Sequence, residues 1–518
     1  MSSPIRGKVI MQQTQSNGSN TISKVVIVGG GTAGWMTASL LAKTLGKTLN
    51  ILLVESDSIS SVGVGEATIP PILNFNHAIG INEKDFINAA QGTIKLGIEF
   101  NNWGQQGDSY MHAFGSIGKQ FPFCDFHHFW QKAQHLNNRE PNVNNSSFWD
   151  YSLNYQAAKQ NKFAQFNHIP NTNLPGLAYA YHFDASLYAK FLQKHAQGMG
   201  VERIEGKVTQ VNQHSNSGFI KSLQLDNGTT ITGDLFIDCS GFSALLIEKT
   251  LGTGFEDYSH WLPCNRAVAV PCEKSGLVEP YTRSTAHTVG WQWRIPLQHR
   301  TGNGLVYSDK HLSDEEAKTL LLDNLDGKPL AEPKVISFRT GRRRKQWNKN
   351  VVAIGLSSGF FEPLESTSIH LIQTAAIRLM KFFPHNGINI EEIDEFNRQS
   401  KIESESIRDF IILHYKLNKR NDSEFWRACQ RMEVPESLTS KIELFKKTGK
   451  VFCNANDLFT EIAWQQVMIG QGNIPNDYHP LVDTLTEESL VGLMDNLKVL
   501  INRTVDNLPS HDDFLKNL

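Results

Sequence analysis

The stretch Lys24-Val-Val-Ile-Val-Gly-Gly-Gly-Thr-Ala-Gly-Trp35 constrains the fold more than any other part of the chain. Residues 25–28 are a β-branched run that reads as a buried parallel strand. The run breaks into Gly29-x-Gly31-x-x-Gly34, and helical spacing with good helix formers follows through Lys43. Strand, tight glycine turn and helix in that order are what a dinucleotide requires. The turn must be sharp, the backbone must approach the pyrophosphate, and the anion rests on the helix N-terminus. A second strand, residues 51–54, ends in Glu55, about 20 residues past the last glycine, where a carboxylate can hold a ribose hydroxyl. Gly29, Gly31, Thr32, Ala33, Gly34 and Glu55 are therefore candidate cofactor contacts.

A chain of 518 residues can bury a large core, as two or more domains or as one elaborated domain. A formal charge of −2 supplies no electrostatic reason for nucleic acid or an anionic membrane as partner. No apolar run reaches the length of a membrane span. The one dense basic run, Arg342-Arg343-Arg344-Lys345, reads as a solvated face before a strand. Six cysteines lack C-x-x-C spacing and read as reduced core residues of a cytoplasmic protein. Residues 1–23 are polar, without the apolar centre of a signal peptide, and read as a disordered extension.

Beyond Glu55, residues 60–71 hold two close glycines and two prolines and read as an ordered loop beside the cofactor. Lys95 follows on a strand-like alternation. On the residues alone it is first a lysine snorkelling to water, and second a donor held in an apolar pocket. Residues 110–180 are rich in aromatic residues, histidine and asparagine, the makings of an aromatic wall for a flat substrate. His127 and His128 have no further ligand at a convincing spacing, so no metal is expected. Residues 181–192 read as an amphipathic helix. Strands return at 207–211, 220–225, 229–232 and 234–241, the last ending in small residues, with a hairpin turn at Asp226-Asn-Gly228. Residues 255–340 read as a second, largely antiparallel sheet carrying substrate, and 351–355 as a last parallel strand. A helix starting near Ser366 aims free N–H groups at an anion or a flavin edge. The expected architecture is α/β. A Rossmann-like FAD-binding core of the flavoprotein monooxygenase type spans 24–386 and carries the inserted antiparallel sheet. A helical substrate-binding region, 387–518, completes it.

Five motifs in order resemble the flavin-dependent halogenases of the tryptophan halogenase type. They are Gly29-Gly-Gly-Thr-Ala-Gly-Trp35, Gly63-Val-Gly-Glu-Ala-Thr-Ile-Pro70, Lys95 in Ile-Lys-x-x-Ile-x-Phe-x-Asn-Trp103, Trp291-Gln-Trp-Arg-Ile-Pro296 and Phe361-Glu-Pro-Leu-Glu-Ser-Thr367. The resemblance implies halogenation, bromination or chlorination, of an electron-rich aromatic by FADH2, O2 and halide. A separate flavin reductase supplies FADH2, a flavin C4a-hydroperoxide forms, and hypohalous acid travels to the substrate guided by a lysine. By the same resemblance Lys95 and Glu365 are catalytic, and Thr367 and Ser368 bind halide. Val64, Ala67, Val208, Leu356 and Ile369 join the cofactor contacts, Trp291 and Trp293 flank the flavin, and Ile98, His112, Phe114 and Trp464 face the substrate. Two departures bear on that substrate: Ser368 stands where tryptophan-acting members have Gly, and Trp464-Gln465 where they have a tyrosine pair. An indole-type aromatic other than free tryptophan is expected. A flavin-dependent aromatic monooxygenase is the alternative, and a homodimer is left open.

Overall fold

The structure, a computed structural model, describes residues 21–59, 65–139 and 146–518. Its organising layer is a six-stranded sheet ordered Trp347–Asn348, Val351–Ala353, Leu235–Asp238, Lys24–Val28, Asn50–Glu55, Glu202–Glu205. All neighbours are parallel except the first pair. Val25, Val26 and Ile27 are fully buried at its centre, as a strand covered on both faces requires. The turn that follows is pinned when Gly29 N–H donates to Val54 O at 2.8 Å, and the helix Thr32–Leu45 starts at once.

A seven-stranded sheet sits against this layer in the order Lys334–Ser337, Arg266–Cys272, Thr301–Tyr307, Trp291–Pro296, Thr282–Ala286, Gly97–Asn101, Ser109–Ala113. It is antiparallel apart from the parallel pairing of Thr282–Ala286 with Gly97–Asn101. One sheet therefore carries both Trp291 with Trp293 and the Ile98–His112 hairpin. A three-stranded sheet, Gly65–Ala67, Ala180–Asp184 and Thr93–Lys95, holds Lys95 at its edge. The helices from Ile390–Lys416 onward share the same apolar core, which runs from Ile22 to Val505. Gln466 fastens helix Glu461–Gly470 to the hairpin, accepting from Ala113 N at 3.0 Å and donating to Ala113 O at 3.1 Å.

Four expectations change. Residues 180–184 are a strand, and the helix is Ala185–Gly198. Tyr181 and Phe183 are buried by pairing with two strands, and the Asp184 carboxylate caps the helix at the Ser186 and Leu187 amides. Within 60–71, Gly65–Ala67 is a strand rather than loop, and residues 60–64 lie outside the described residues. Arg342 is buried, held by Glu256 at 2.6 Å and the Tyr258 hydroxyl, and Arg343 is half-buried, so only Arg344 and Lys345 of the basic run form a solvated face. Ile22 is buried and Ser23 donates to Asp234, so the ordered chain begins before Lys24; residues 1–20 lie outside the described residues.

Asp238 closes the strand Leu235–Asp238 from a fully buried position. One carboxylate oxygen accepts from the Ser240 amide and hydroxyl, the other from the Leu246 and Ile247 amides. Asp238→Ala orphans four donors, so a loss of about 2–4 kcal/mol in denaturant unfolding is expected.

Candidate active site

Where the glycine turn meets the two large sheets there is a cavity of about 1110 Å³. That exceeds the usual small-ligand pocket of about 300–1,000 Å³. Gly29, Gly31, Thr32, Ala33, Glu55, Ala67, Val208, Leu356, Ile369, Trp291, Trp293 and Ser368 all line it. Gly34 does not: a Cβ there would stand 1.9 Å from Gly29 O, so its role is to let helix and turn pack closely. Val64 lies outside the described residues. Gly29 is left-handed at φ 113°, and a Cβ on it would collide with Cys239 O. At Gly31 an added Cβ would meet no protein atom; it would point into the cavity. Glu55 is steadied by Arg203 Nε at 2.6 Å. This cradle of glycine backbone, a helix N-terminus and an anchored carboxylate fits FAD along the cavity.

The far wall carries the signature tryptophans. Trp291 and Trp293 are buried with ring centroids 6.2 Å apart, and Trp293 lies across Gly304, where a Cβ would be 2.1 Å from its ring. Trp291 Nε1 donates to Glu362 Oε2 at 3.1 Å, and the Tyr415 hydroxyl donates to the same oxygen. Glu362 is wholly enclosed, and burial pushes its carboxyl up to about 7 against those two hydrogen bonds.

Behind the loop 361–367 lies a second, drier group of residues. Lys95 is completely buried and donates from Nζ to Ser366 Oγ at 2.8 Å, with Nζ 5.3 Å from the Phe114 ring centroid. It is no snorkelling lysine. Burial lowers its pKa to about 7, while the charge of Glu365 works in the opposite sense. No ion pair within 4.0 Å joins Lys95 to Glu365 among the described residues. Ser366, left-handed at φ 58°, lines the cavity while holding Lys95, and so joins the cavity to the buried group around that lysine.

Glu365 is instead gripped by histidines. His112 Nδ1 donates to Oε2 at 2.8 Å, and His414 Nε2 stands 2.9 Å from Oε1. Burial alone would raise the Glu365 carboxyl, but the charges and hydrogen bonds of His112 and His414 hold it well below the usual range. His112 also faces the rings of Phe410 and Phe459, which stack at 3.8 Å, and Trp464 meets Phe410 edge-on at 5.0 Å. Trp464 Nε1 is buried without a hydrogen-bond partner among the described residues, and Gln465 turns away to Asp125 at 2.8 Å. Ile98 packs in the core opposite His112 on the hairpin. Thr367 is the N-cap of helix Ser368–Lys381, whose first-turn amides face the loop. His127 bonds Gly449 O and His128 packs beside it, and no cluster able to hold a metal occurs among the described residues.

Sequence reasoning missed Ser366, Glu362, His414, Tyr415, Phe410 and Phe459. The first two stand inside a quoted motif; the other four come from residues 387–518, where only amphipathic spacing was visible.

A glycine-cradled dinucleotide cavity, joined by one of its lining serines to a buried lysine among aromatic rings, is the arrangement of a flavoenzyme. The chain belongs to the tryptophan halogenase family, whose sequence profile matches residues 24–487. A solved flavin-dependent halogenase from Xanthomonas campestris superposes with a TM-score of 0.92 at 46% identity, covering 96% of this chain and 98% of that one. A second, from Brevundimonas sp. BAL3, gives 0.91 at 43% identity, covering 96% and 100%. The tryptophan 6-halogenase ThaL of Streptomyces albogriseolus is 34% identical over 541 residues, covering 96% of this chain and 99% of its own. A flavin-dependent halogenase, with FADH2, O2 and halide as its reactants, is what the family defines, in place of the monooxygenase alternative. No helix among the described residues is long and apolar enough to cross a membrane.

Proposed function

We propose that this enzyme brominates or chlorinates an indole-type aromatic, with Lys95 and Glu365 as its catalytic pair and a separate flavin reductase as its supplier of FADH2. Reduced FAD, when bound, would supply the electrons that activate O2, and the activated oxygen would oxidise halide to an electrophilic halogen. The glycine turn and Glu55 hold the cofactor's nucleotide end. The free amides at Thr367 and Ser368 attract halide, as a helix N-terminus attracts any anion. Trp291 and Trp293 fill the wall between compartments and keep the substrate from the flavin. Lys95, reached through Ser366, positions the oxidant as a hydrogen-bond donor in a site where water does not compete. Glu365 accepts the proton that the ring releases. His112, Phe114 and Trp464 supply apolar faces for a flat ring. Without a tyrosine pair beside Trp464, the amino-acid end of tryptophan loses its grip, which favours indole itself or a larger indole-bearing substrate.

The carrying observation is Lys95, fully buried, hydrogen-bonded to a residue that lines the flavin cavity, and without a carboxylate within 4.0 Å among the described residues. Mass spectrometry of a mixture of enzyme, FAD, flavin reductase, NADH, bromide and indole tests the reading. A bromine isotope pattern is expected, and hydroxyindole in its place would overturn it. Glu365→Gln should lower turnover by about 10²–10⁴-fold, the usual size of a lost general base, with FAD affinity intact. Unchanged turnover would remove Glu365 from the chemistry.

A further inference from the structure

His414 is the last but two residue of the helix Ile390–Lys416 and is completely buried. Its Nδ1 lies 2.9 Å from the carbonyl oxygen of Phe410, one turn back. A carbonyl can only accept, so Nδ1 carries a hydrogen, and a neutral His414 would leave a bare lone pair on Nε2. That atom stands 2.9 Å from Glu365 Oε1, and among the described residues neither atom is otherwise satisfied: both are buried polar atoms without a well-directed hydrogen bond. Two lone pairs cannot be enclosed face to face at that distance, so one proton must lie between them.

The surroundings say which atom holds it. His414 sits in the last turn of a 27-residue helix, where the backbone dipole favours a cation. Its ring is boxed by Phe100 at 4.8 Å and Phe410 at 5.3 Å, with no water-facing edge. The titratable groups facing the pair from neighbouring strands are Lys95, His112 and Tyr110. Lys95 and His112 act on Glu365 directly, and Tyr110 is a phenol whose pKa burial keeps high.

We propose that His414 is the proton partner of Glu365: its Nε2–H is donated to Oε1, and the buried imidazolium keeps that carboxylate ionised and fixed in rotamer. His414 is thus a positioning residue. It acts through Glu365, on the reading above that Glu365 is the base, and it sets the pH below which the base is lost. Burial pulls the Glu365 carboxyl toward neutrality; His112 first, and His414 with it, hold it ionised, and His414 is the partner of the oxygen that His112 does not reach.

The experiment follows indole bromination against pH in wild type, His414→Phe and His414→Gln, with FAD binding measured on each. In the phenylalanine variant we expect a rate at least tenfold lower at pH 7, recovering as pH rises toward 9, with FAD affinity unchanged. Glutamine, which still presents an N–H to Oε1, should restore part of the pH 7 rate. A loss of the same size at every pH, or no loss, overturns the proposal. ¹⁵N NMR of histidine-labelled protein, with His414 assigned by difference, reads the proton without turnover. Both ring nitrogens should appear protonated at pH 7 in wild type, and Nε2 should lose its proton in Glu365→Gln. An unprotonated Nε2 in wild type overturns the placement. Absence of bromoindole from wild type, with the NMR result as expected, would instead count against the functional reading.

Discussion

Replacing Lys95 with methionine is expected to abolish halogenation and to make the protein more stable. The two effects have one cause. The ammonium is wholly buried, its hydrogen bond among the described residues goes to Ser366, and the charge of Glu365, beyond ion-pair distance, offsets only part of the burial. Burial takes its pKa from 10.5 down to about 7. Because the folded value is the lower, the unfolded chain holds a proton between those two values that the folded chain does not. Stability therefore rises with pH across that window, and the full cost of Lys95 is felt below pH 7. The upper bound of that cost is about 5 kcal/mol, from about 1.36 kcal/mol per pKa unit. Methionine fills a similar volume without a charge, so a gain of about 1–3 kcal/mol is a reasonable return near neutrality. Thermal unfolding at pH 7 and pH 10 checks this, with the gain shrinking at the higher pH. FAD should still bind, since Lys95 does not line the cofactor cavity. A lower Tm with lost flavin affinity would mark Lys95 as structural and remove the central residue of the proposed mechanism.

What the chain disclosed in sequence was local, and what it withheld was long-range. Residues 24–43 could be read because strand, turn and helix are successive, and Gly31 and Gly34 answer constraints at the cofactor and within the turn; the clash of a Cβ at Gly29 with Cys239 O was not visible. Residues 181–183 were misread because the helical spacing of the residues that follow was extended back over them, although Tyr181 and Phe183 stand two apart, as on one face of a strand. Lys95 could be named, but its burial could not. That depends on Ser366, 271 positions away, and on a sheet whose strands come from three separate parts of the chain. Glu365 was matched to Lys95 by motif, yet its direct partners are His112 and His414. His414 and Tyr415 are consecutive, and reach two carboxylates three residues apart on one loop. In sequence they are only a polar–aromatic pair ending an amphipathic helix.

Gly31→Val is expected to fold normally and to lose FAD. The neighbouring glycines do not permit so clean a test. A side chain on Gly29 would strike Cys239 O in a left-handed backbone, and one on Gly34 would strike Gly29 O, so either substitution disturbs the turn itself. Gly31 differs on both counts. Its φ of −75° and ψ of −172° are open to any residue, and an added Cβ meets no protein atom within 4 Å. The space that valine would take is cavity, at the helix N-terminus where a pyrophosphate must come against the backbone. The apoprotein should therefore keep its unfolding midpoint within about 0.5 kcal/mol, as substitutions without a packing or hydrogen-bond penalty do. FAD affinity should fall by about a hundredfold or more, since a blocked approach costs at least about 2.8 kcal/mol at 1.4 kcal/mol per decade. Flavin fluorescence titration and denaturant unfolding measure the two quantities separately. Tight FAD binding by the valine variant would show that the pyrophosphate does not lie on this turn. Weak binding accompanied by unfolding would show that Gly31 serves the fold, despite the empty space beside it.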